Sequence, residues 1–388
     1  MFRQNEDSIL LNTWESFYYD VSLAKLEAEA KAAKEAGLEM LVMDDGWFRA
    51  SSRDPIGDWQ VDSAKLPGGI PKAADLVHSY GLKFGLWFEP EAVSANSKLY
   101  QAHPDWIIQS PYHAPLAGRH EYLLDLAKPE VVEHIKTMLS QYLPYVDYIK
   151  WDMNRPQSDS GNTFGYIKGL YCILEWINTQ FPHVEIETCA SGGARLDAGI
   201  LHYSGKNWTS DNTDPIFRQD IQENFARIFP PEALCAHVSV AKNHQTGRIS
   251  SSKNRFDTAK LFNFGYELKL SDCTPEEFAE VKAQIEQVKA DRQVMKQARF
   301  FVLDPSHPNY KAWLKVSKDQ KHASLVIFQK EADPTSMHTY LRLQGLDPHQ
   351  VYELEGQLIP GDVLMNAGIE LPYIFATETS YSFDLRAV

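Results

Sequence analysis

Cysteine is scarce in this sequence. Only four cysteines occur among 388 residues, and none forms a CxxC pair or a CxxC…HxxxH ligand set. Thiols scattered in this way favour neither a structural zinc site nor a disulfide framework, and they are typical of a reducing compartment. We therefore expect a cytoplasmic protein that holds no metal ion.

Long apolar runs and an excess of basic residues are also missing. No stretch approaches the roughly 20 apolar residues of a membrane-spanning helix, and the start, MFRQNEDSILLN, contains no signal-peptide core. Lys and Arg number 38 against 52 for Asp and Glu, a net charge of −14. Because such a surface repels phosphate backbones and anionic lipids, we expect neither nucleic acid nor a membrane as a partner.

Glycine-rich nucleotide-binding motifs are absent too, since no GxGxxG follows an early strand and no P-loop occurs. The chain instead alternates strand and helix signals. Strands are predicted over 9–14, 38–47, 82–91, 146–152, 184–191, 207–213, 234–240 and 264–270, and helices over 23–37, 71–81, 129–145 and 274–297. Apolar strands followed by helices predict a parallel sheet covered on both faces, and this many units favour a (β/α)8 barrel of the TIM type.

The pattern changes from about Asp304. Short alternating runs over 312–316, 323–328, 339–343 and 380–385 are separated by Pro, Gly and Asp turns. Such runs predict a small antiparallel β-domain. We therefore expect a catalytic barrel over 1–303 and a C-terminal antiparallel β-sandwich domain over 304–388.

Polar residues follow the predicted strands, where a (β/α)8 barrel places its chemistry. These strand ends carry Glu15, Asp44, Asp45, Glu89, Glu91, Asp152, Asp211 and His237, together with several tryptophans. One acid at a strand end is more often a helix cap, but a series of them favours a binding pocket. Carboxylates bind pairs of hydroxyl groups and indoles stack on sugar rings, so the pattern indicates a carbohydrate rather than a phosphorylated ligand.

Glycoside hydrolysis needs two carboxyl groups in opposite protonation states, and two aspartates are the candidates. Asp152 lies two residues after Lys150 on one strand face, so that ammonium is expected to hold it ionised. Asp211 follows a tryptophan, and a poorly solvated carboxyl there would keep its proton. The spacing leaves open which aspartate has which role. Glu89 and Glu91 are rivals that rank lower, because no cation lies two residues away.

Six motifs, in this order, resemble α-galactosidases of glycoside hydrolase family 36, and the resemblance covers nearly the whole chain from Asn12. They are MDDGWF (43–48), LWFEPE (86–91), KWDMNR (150–155), CASGGARLDAG (189–199), WTSDNTD (208–214) and HVS…NHQTGR (237–248).

The resemblance implies a retaining exo-α-galactosidase that acts on oligosaccharides of the melibiose and raffinose type, with no cofactor or metal. Asp152 would be the nucleophile that forms a galactosyl ester, and Asp211 the acid/base. Asp44 and Asp45 would hold the 4- and 6-hydroxyls of galactose. The other implied substrate-binding residues are Trp14, Trp87, Arg119, Lys150, Asn154, Cys189 and Gly192.

Members of this family usually carry a large β-sandwich before the barrel, whereas this chain begins close to the first barrel strand. The resemblance is therefore to a short form, whether natural or a fragment. In tetrameric members that domain helps to assemble the oligomer, so the resemblance leaves a homo-oligomer open.

Several other functional hypotheses stay open beside the α-galactosidase. A galactosyl transferase of the raffinose-synthase type would use the same intermediate, and a non-catalytic galactose-binding protein would keep only the pocket. A metal-dependent aldolase or isomerase barrel would also use many acids. Asp197 and Asp214 are interpreted as supporting or capping residues, and His237, His244 and Arg248 as rim or loop-capping residues.

Overall fold

A computed structural model describes residues 7–110, 112, 114–155 and 161–388. The predicted absence of a signal peptide depends partly on residues 1–6, which lie outside the described residues. Packing divides the chain into two compact units. One runs up to Asp211 and includes Gly265–Phe278, and the other consists of Asn212–Phe264 and Ala279–Val388.

Eight strands close into a parallel barrel, which confirms the predicted fold class. They are β1 (Leu10–Asn12), β2 (Met40–Met43), β3 (Lys83–Phe88), β4 (Tyr148–Trp151), β5 (Glu185–Thr188), β6 (Gly205–Trp208), β7 (Leu234–Ser239) and β8 (Asn263–Glu267). Each strand neighbours the next one in the sequence, and β8 neighbours β1. Nearly every strand residue is buried, as expected for a parallel sheet whose two faces are covered.

The longer helices are α1 (Leu23–Ala36), α2 (Gly69–Ser79), α3 (Pro129–Leu139), α4 (Thr163–Gln180), α5 (Ala198–Ser204), α6 (Pro215–Ala226), α7 (Ser252–Ala259) and α8 (Pro275–Arg292). Helix α1 illustrates how local sequence sets the ends. The Ser22 hydroxyl accepts the Lys25 N–H at 3.3 Å, and Gly37 ends the helix with a φ of 90°. Among the described helices, none is long and apolar enough to cross a membrane.

Part of the barrel is held by buried charges on neighbouring strands. The Lys206 ammonium lies 2.9 Å from Glu185 Oε2, and the two side chains are 1% and 8% exposed. Lys83 approaches the other Glu185 oxygen at 3.7 Å. On β4, the Tyr148 hydroxyl donates to Glu187. The strands therefore bury paired polar side chains as well as apolar ones.

A strained turn lies beside the barrel. Backbone hydrogen bonds of 3.0 and 2.9 Å between Gly118 and Glu121 close a two-residue loop. Both loop residues have positive φ angles, 54° for Arg119 and 65° for His120. Turns of this kind usually contain Asn and Gly, because a Cβ atom is strained in that region. The turn is therefore strained, and Arg119 lies at its tip.

The second half of the chain ends in an antiparallel sheet, as the sequence predicts. Its strands are β9 (Arg299–Leu303), β10 (Tyr310–Val316), β11 (His322–Gln329), β12 (Val351–Leu354), β13 (Gln357–Pro360) and β14 (Thr379–Ala387), in the spatial order β9-β10-β11-β14-β12-β13. A separate antiparallel strand pair, formed by Tyr340–Leu341 and Ile369–Glu370, contributes Leu341 to the apolar core of this sheet. Strand β9 lies ahead of the predicted boundary at 303–304, and the domain division itself stays a prediction.

Candidate active site

Asp152 lies directly after β4 and is buried. Trp87 Nε1 donates to its Oδ2 at 3.1 Å, and Asn154 Nδ2 donates to the same oxygen at 2.6 Å. The backbone N–H of Met153 donates to Oδ1 at 2.8 Å. Three donors from three residues fix the orientation of this carboxylate.

Lys150 does not have the partner that the sequence predicts. Its ammonium donates to Asp44 Oδ2 at 2.8 Å, with both side chains buried. Burial opposes the charge, but Asp44 raises the pKa of Lys150 well above its usual value, so the side chain stays cationic. Lys150 lies within β4, whereas Asp152 follows the last residue of that strand. The ammonium therefore reaches the end of β2, and neutral N–H groups hold Asp152.

Asp44 and Asp45 follow β2 and have different partners. Asp44 also accepts from Asn12 Nδ2 at 2.7 Å. Asp45 is clasped by Arg49, with Nε at 3.0 Å from Oδ1 and Nη2 at 2.6 Å from Oδ2. Burial raises the pKa of Asp45, and Arg49 opposes that shift. Sequence reasoning found both acids and missed Asn12 and Arg49, although a basic residue four positions after Asp45 was a readable signal.

Two more buried acids lie close to Asp152. Asn154 donates to Glu89 through its backbone N–H and, at 3.1 Å, through Nδ2. Burial raises the pKa of Glu89 well above its usual value, and the charges of Asp152 and Glu121 add to the shift. Burial also raises the pKa of Glu121 to about 7, although Arg119 and Arg49 oppose it. Glu121 was missed, because it lies outside the motifs and away from the barrel strand ends.

Glu91, the other predicted rival for catalysis, is an internal ion-pair partner. Its fully buried carboxylate lies 2.7 Å from Arg195 Nη1 and accepts from Trp151 Nε1 at 2.7 Å. The Tyr166 hydroxyl also donates to it. These contacts tie the carboxylate to β4 and α4, which favours a structural role.

Asp211 differs in solvation from the prediction. It is exposed rather than poorly solvated, because β6 ends at Trp208 and the aspartate lies three residues beyond it. Its Oδ1 lies 3.9 Å from the Cys189 thiol. Burial raises the pKa of Cys189 well above its usual value, and the charges of Asp152 and Asp211 add to the shift. The buried thiol therefore lies close to both predicted catalytic carboxylates.

Gly192 occupies a position that only glycine fits. Its φ is 89°, and a Cβ atom there would stand 2.4 Å from the Ser210 Cα. Its N–H donates to the Cys189 sulfur at 3.3 Å. Gly192 thus forms a tight turn that brings the loop after β5 against the loop after β6.

Trp14 and Arg119 occupy the same part of the molecule as Asp45. The ring of Trp14 is half-buried and packs edge-on against Tyr19, with centroids 5.2 Å apart. The guanidinium of Arg49 covers Tyr19 at 5.7 Å. Burial and then the charge of Asp45 raise the pKa of Tyr19 to about 12, whereas Arg49 and the exposed Arg119 lower it. Tyr19 was missed because it lies outside the motifs.

The remaining candidates lie elsewhere. Asp197 and Asp214 are the N-caps of α5 and α6, which confirms the capping interpretation. Arg248 pairs with Asp214 at 2.9 Å within the second compact unit. His237 lies on β7 in the same unit, and His244 lies in the loop after it.

A metal-binding arrangement is not seen in the described part of the chain, where no group of three or more His, Cys, Asp and Glu side chains could hold an ion. The acids are instead bound by indole, amide, ammonium and guanidinium donors. The site thus contains an oriented, buried carboxylate (Asp152) and a solvent-accessible one (Asp211), together with fixed acceptors for hydroxyl groups. This arrangement can perform a displacement at a sugar carbon.

Two family models match the chain. The model of the Melibiase family covers residues 1–298. The model described as the glycosyl hydrolase family 36 C-terminal domain covers residues 310–385.

Individual relatives are similar over the same range. The alpha-galactosidase AgaA of Geobacillus stearothermophilus is 40% identical over 100% of this chain and 55% of its own length. The bifunctional alpha-galactosidase/sucrose kinase AgaSK of Mediterraneibacter gnavus is 38% identical over 97% of this chain and 41% of its own. The chain thus spans about half the length of the curated relatives it matches, or less.

Solved structures of α-galactosidases are similar to this chain as well. The crystal structure of AgaA superposes with a TM-score of 0.93 at 39% identity and covers 98% of this chain and 55% of that one. A variant of AgaA crystallised in complex with raffinose gives a TM-score of 0.92 over the same shares of both chains, at 39% identity.

Proposed function

Because the chain belongs to glycoside hydrolase family 36, we propose that it is a retaining exo-α-galactosidase. It releases terminal α-linked galactose from oligosaccharides of the melibiose and raffinose type through a galactosyl-aspartate ester. The observation that carries the proposal is the pairing of a fixed, buried Asp152 with an exposed Asp211, both close to the Cys189 thiol. The raffinose complex of AgaA supports the substrate class.

In the first step, Asp152 attacks C1 of galactose and forms an ester bond. The bond from C1 to the leaving oxygen breaks, and Asp211 gives its proton to that oxygen. In the second step, Asp211 takes a proton from water, which attacks C1 and releases Asp152. Two inversions at C1 retain the anomeric configuration, and the carboxyl groups are expected about 5–5.5 Å apart.

Substrate recognition follows from the contacts around these acids. Asp44 and Asp45 are the acceptors for the 4- and 6-hydroxyls, and Lys150 and Arg49 hold them in place. The other residues proposed to line the sugar are Trp14, Trp87, Arg119, Lys150 itself, Asn154, Cys189 and Gly192. Cys189 and Gly192 lie near the 2-hydroxyl in this proposal. The cytoplasmic location and a homo-oligomeric state stay predictions.

Substituting the two aspartates tests the proposal. Asp152→Ala should lower kcat on an aryl α-galactoside by at least about 10³-fold, because the ester does not form. Asp211→Ala should lower kcat on raffinose by about 10²–10⁴-fold, the usual contribution of a general acid. Steady-state kinetics on both substrates measure these losses, and near-wild-type rates in both variants would contradict the proposal.

Azide separates the two roles. In Asp152→Ala, azide attacks C1 directly and should give the β-galactosyl azide. In Asp211→Ala, azide attacks the ester and should give the α-galactosyl azide. A matched control is Asp197→Ala, which removes a helix cap worth about 1 kcal/mol and should leave kcat unchanged. Finding the two azide products exchanged would mean that the roles are reversed.

A further inference from the structure

Glu89 and Glu121 are two buried acids for which the proposed reaction has no direct use. Glu89 is completely buried and Glu121 is 2% exposed. Glu89 is tied to Asp152 through one side chain, since Asn154 Nδ2 donates to Asp152 at 2.6 Å and to Glu89 at 3.1 Å. The backbone N–H of Asn154 also donates to Glu89. The position of Asn154, and therefore of Asp152, depends on how Glu89 is held.

The charges around this pair do not balance if both acids are ionised. Among the described residues, the charged groups that act most strongly on the pair are the carboxylates of Asp45 and Asp152 and the guanidiniums of Arg49 and Arg119. Two ionised glutamates would make four negative charges against two positive ones in a buried space. Unpaired buried charge is unfavourable, and a group in that position usually takes up a proton.

One carboxylate oxygen of Glu121 is available to hold that proton. Glu121 Oε1 lies 3.9 Å from Arg49 Nη1. Glu121 Oε2 is buried and accepts no hydrogen bond from the described residues. A protonated oxygen there would be a hydrogen-bond donor, and the charge of Glu121 that acts on Glu89 would be removed.

Resting on the proposed function, we propose that Glu89 and Glu121 retain one proton between them up to neutral pH, and that this proton positions the nucleophile Asp152 through Asn154. Both glutamates are positioning residues. When the proton is lost to solvent, the two carboxylates repel each other, and the contact of Glu89 with Asn154 is disturbed. The rate of ester formation then falls, whereas KM changes less, because Asn154 is disturbed while Asp44 and Lys150 keep their contact with each other.

The pH dependence of turnover tests the positioning. Deprotonation of a general acid also lowers activity at alkaline pH, but an activated aryl galactoside does not need that acid in ester formation. With such a donor, under conditions where ester formation limits turnover, the wild-type chain should still lose kcat as the pH rises through about 7. In Glu121→Gln, which cannot ionise, this loss should move upward or vanish.

A matched control is Glu29→Gln. Glu29 is also a buried acid, whose pKa burial raises, but its oxygens accept from the backbone N–H groups of Leu270 and Ser271. It should keep the wild-type pH profile of kcat. A wild-type chain with no alkaline loss on the activated donor, or a Glu121→Gln variant that keeps the loss, would overturn the proposal.

Thermal unfolding tests the proton without turnover, and so separates this proposal from the proposed function. The pKa of Glu121 is raised from 4.5 to about 7 on folding. A raised carboxyl pKa contributes stability below its unfolded value, and that stability is lost as pH rises through about 7. The Tm of Glu121→Gln minus the Tm of the wild type should therefore become more positive as the pH is raised from about 5 to about 8. A Tm difference that stays constant over this range would overturn the proposal, whether or not the chain hydrolyses galactosides.

Discussion

At the scale of single residues, neighbouring acids differ because of what holds them. Asp44 takes an ammonium and an amide, whereas Asp45 takes two N–H groups of one planar guanidinium. A bidentate contact restricts rotation of a carboxylate more than a point charge does. The direction in which Asp45 faces therefore depends on Arg49.

Arg49→Lys tests this dependence. Lysine keeps the charge and loses the planar fork, so Asp45 can rotate, and KM for a galactoside should rise about tenfold, or about 1.4 kcal/mol in binding free energy. Steady-state kinetics measure the change. Arg227→Lys is the control, since Arg227 also pairs with an acid four residues away but is exposed. Equal KM values in both variants would contradict the role given to Arg49.

Most acids of the site were predictable from the sequence, except Glu121, and which donor binds which acid was not. Asp44, Asp152 and Glu89 follow apolar strands, and such strands can be recognised in the sequence. Their partners come from distant positions, such as Asn12, 32 residues from Asp44, and Lys150, 106 residues from it. Strand periodicity places Lys150 and Asp152 on one face but does not show which carboxylate the ammonium reaches.

At the scale of the elements, strand existence was predictable, and strand ends were not. Strand β6 was predicted over 207–213 and runs over Gly205–Trp208. The sequence NWTSDNT contains polar residues throughout, so hydrophobicity did not mark where pairing stops. The early end leaves Asp211 in a loop open to water, where the acid/base proposed for it would exchange protons with solvent.

The turn at Arg119 and His120 leads to a prediction about strain. His120→Gly should raise the free energy of unfolding by up to about 1 kcal/mol, because glycine adopts a positive φ without the penalty of a Cβ atom. Urea denaturation measures the change. His120→Ala keeps the Cβ atom and should give no gain, so equal stabilisation by both substitutions would show that the turn is not strained.

At the scale of the whole molecule, alternating strand and helix signals were enough to predict the barrel, and turn-rich alternation was enough to predict the antiparallel sheet. Strand β9 was missed because RFFVL has no polar alternation and follows directly on a helical region. The buried ion pairs among the barrel strands were also missed, because a charged residue in a strand usually predicts a solvent-exposed position.

Lys206→Met tests how far the barrel depends on those pairs. Removing the ammonium leaves Glu185, among the described residues, with the weaker approach of Lys83, so the free energy of unfolding should fall by about 3–5 kcal/mol. Lys269→Met removes an exposed partner of Asp272 and should cost less than about 1 kcal/mol. Urea denaturation of both variants gives the comparison, and similar small losses would show that the buried pair contributes little.

The three donors to Asp152 have a consequence for stereochemistry. A carboxylate has about four lone-pair directions, and within the described residues Trp87, Asn154 and Met153 use three of them. In the proposed mechanism, the direction left on Oδ1 would fix the line along which Asp152 approaches an electrophilic carbon. Selection between the two anomers would then reside in the geometry of a single oxygen, before any hydroxyl group of the sugar is recognised.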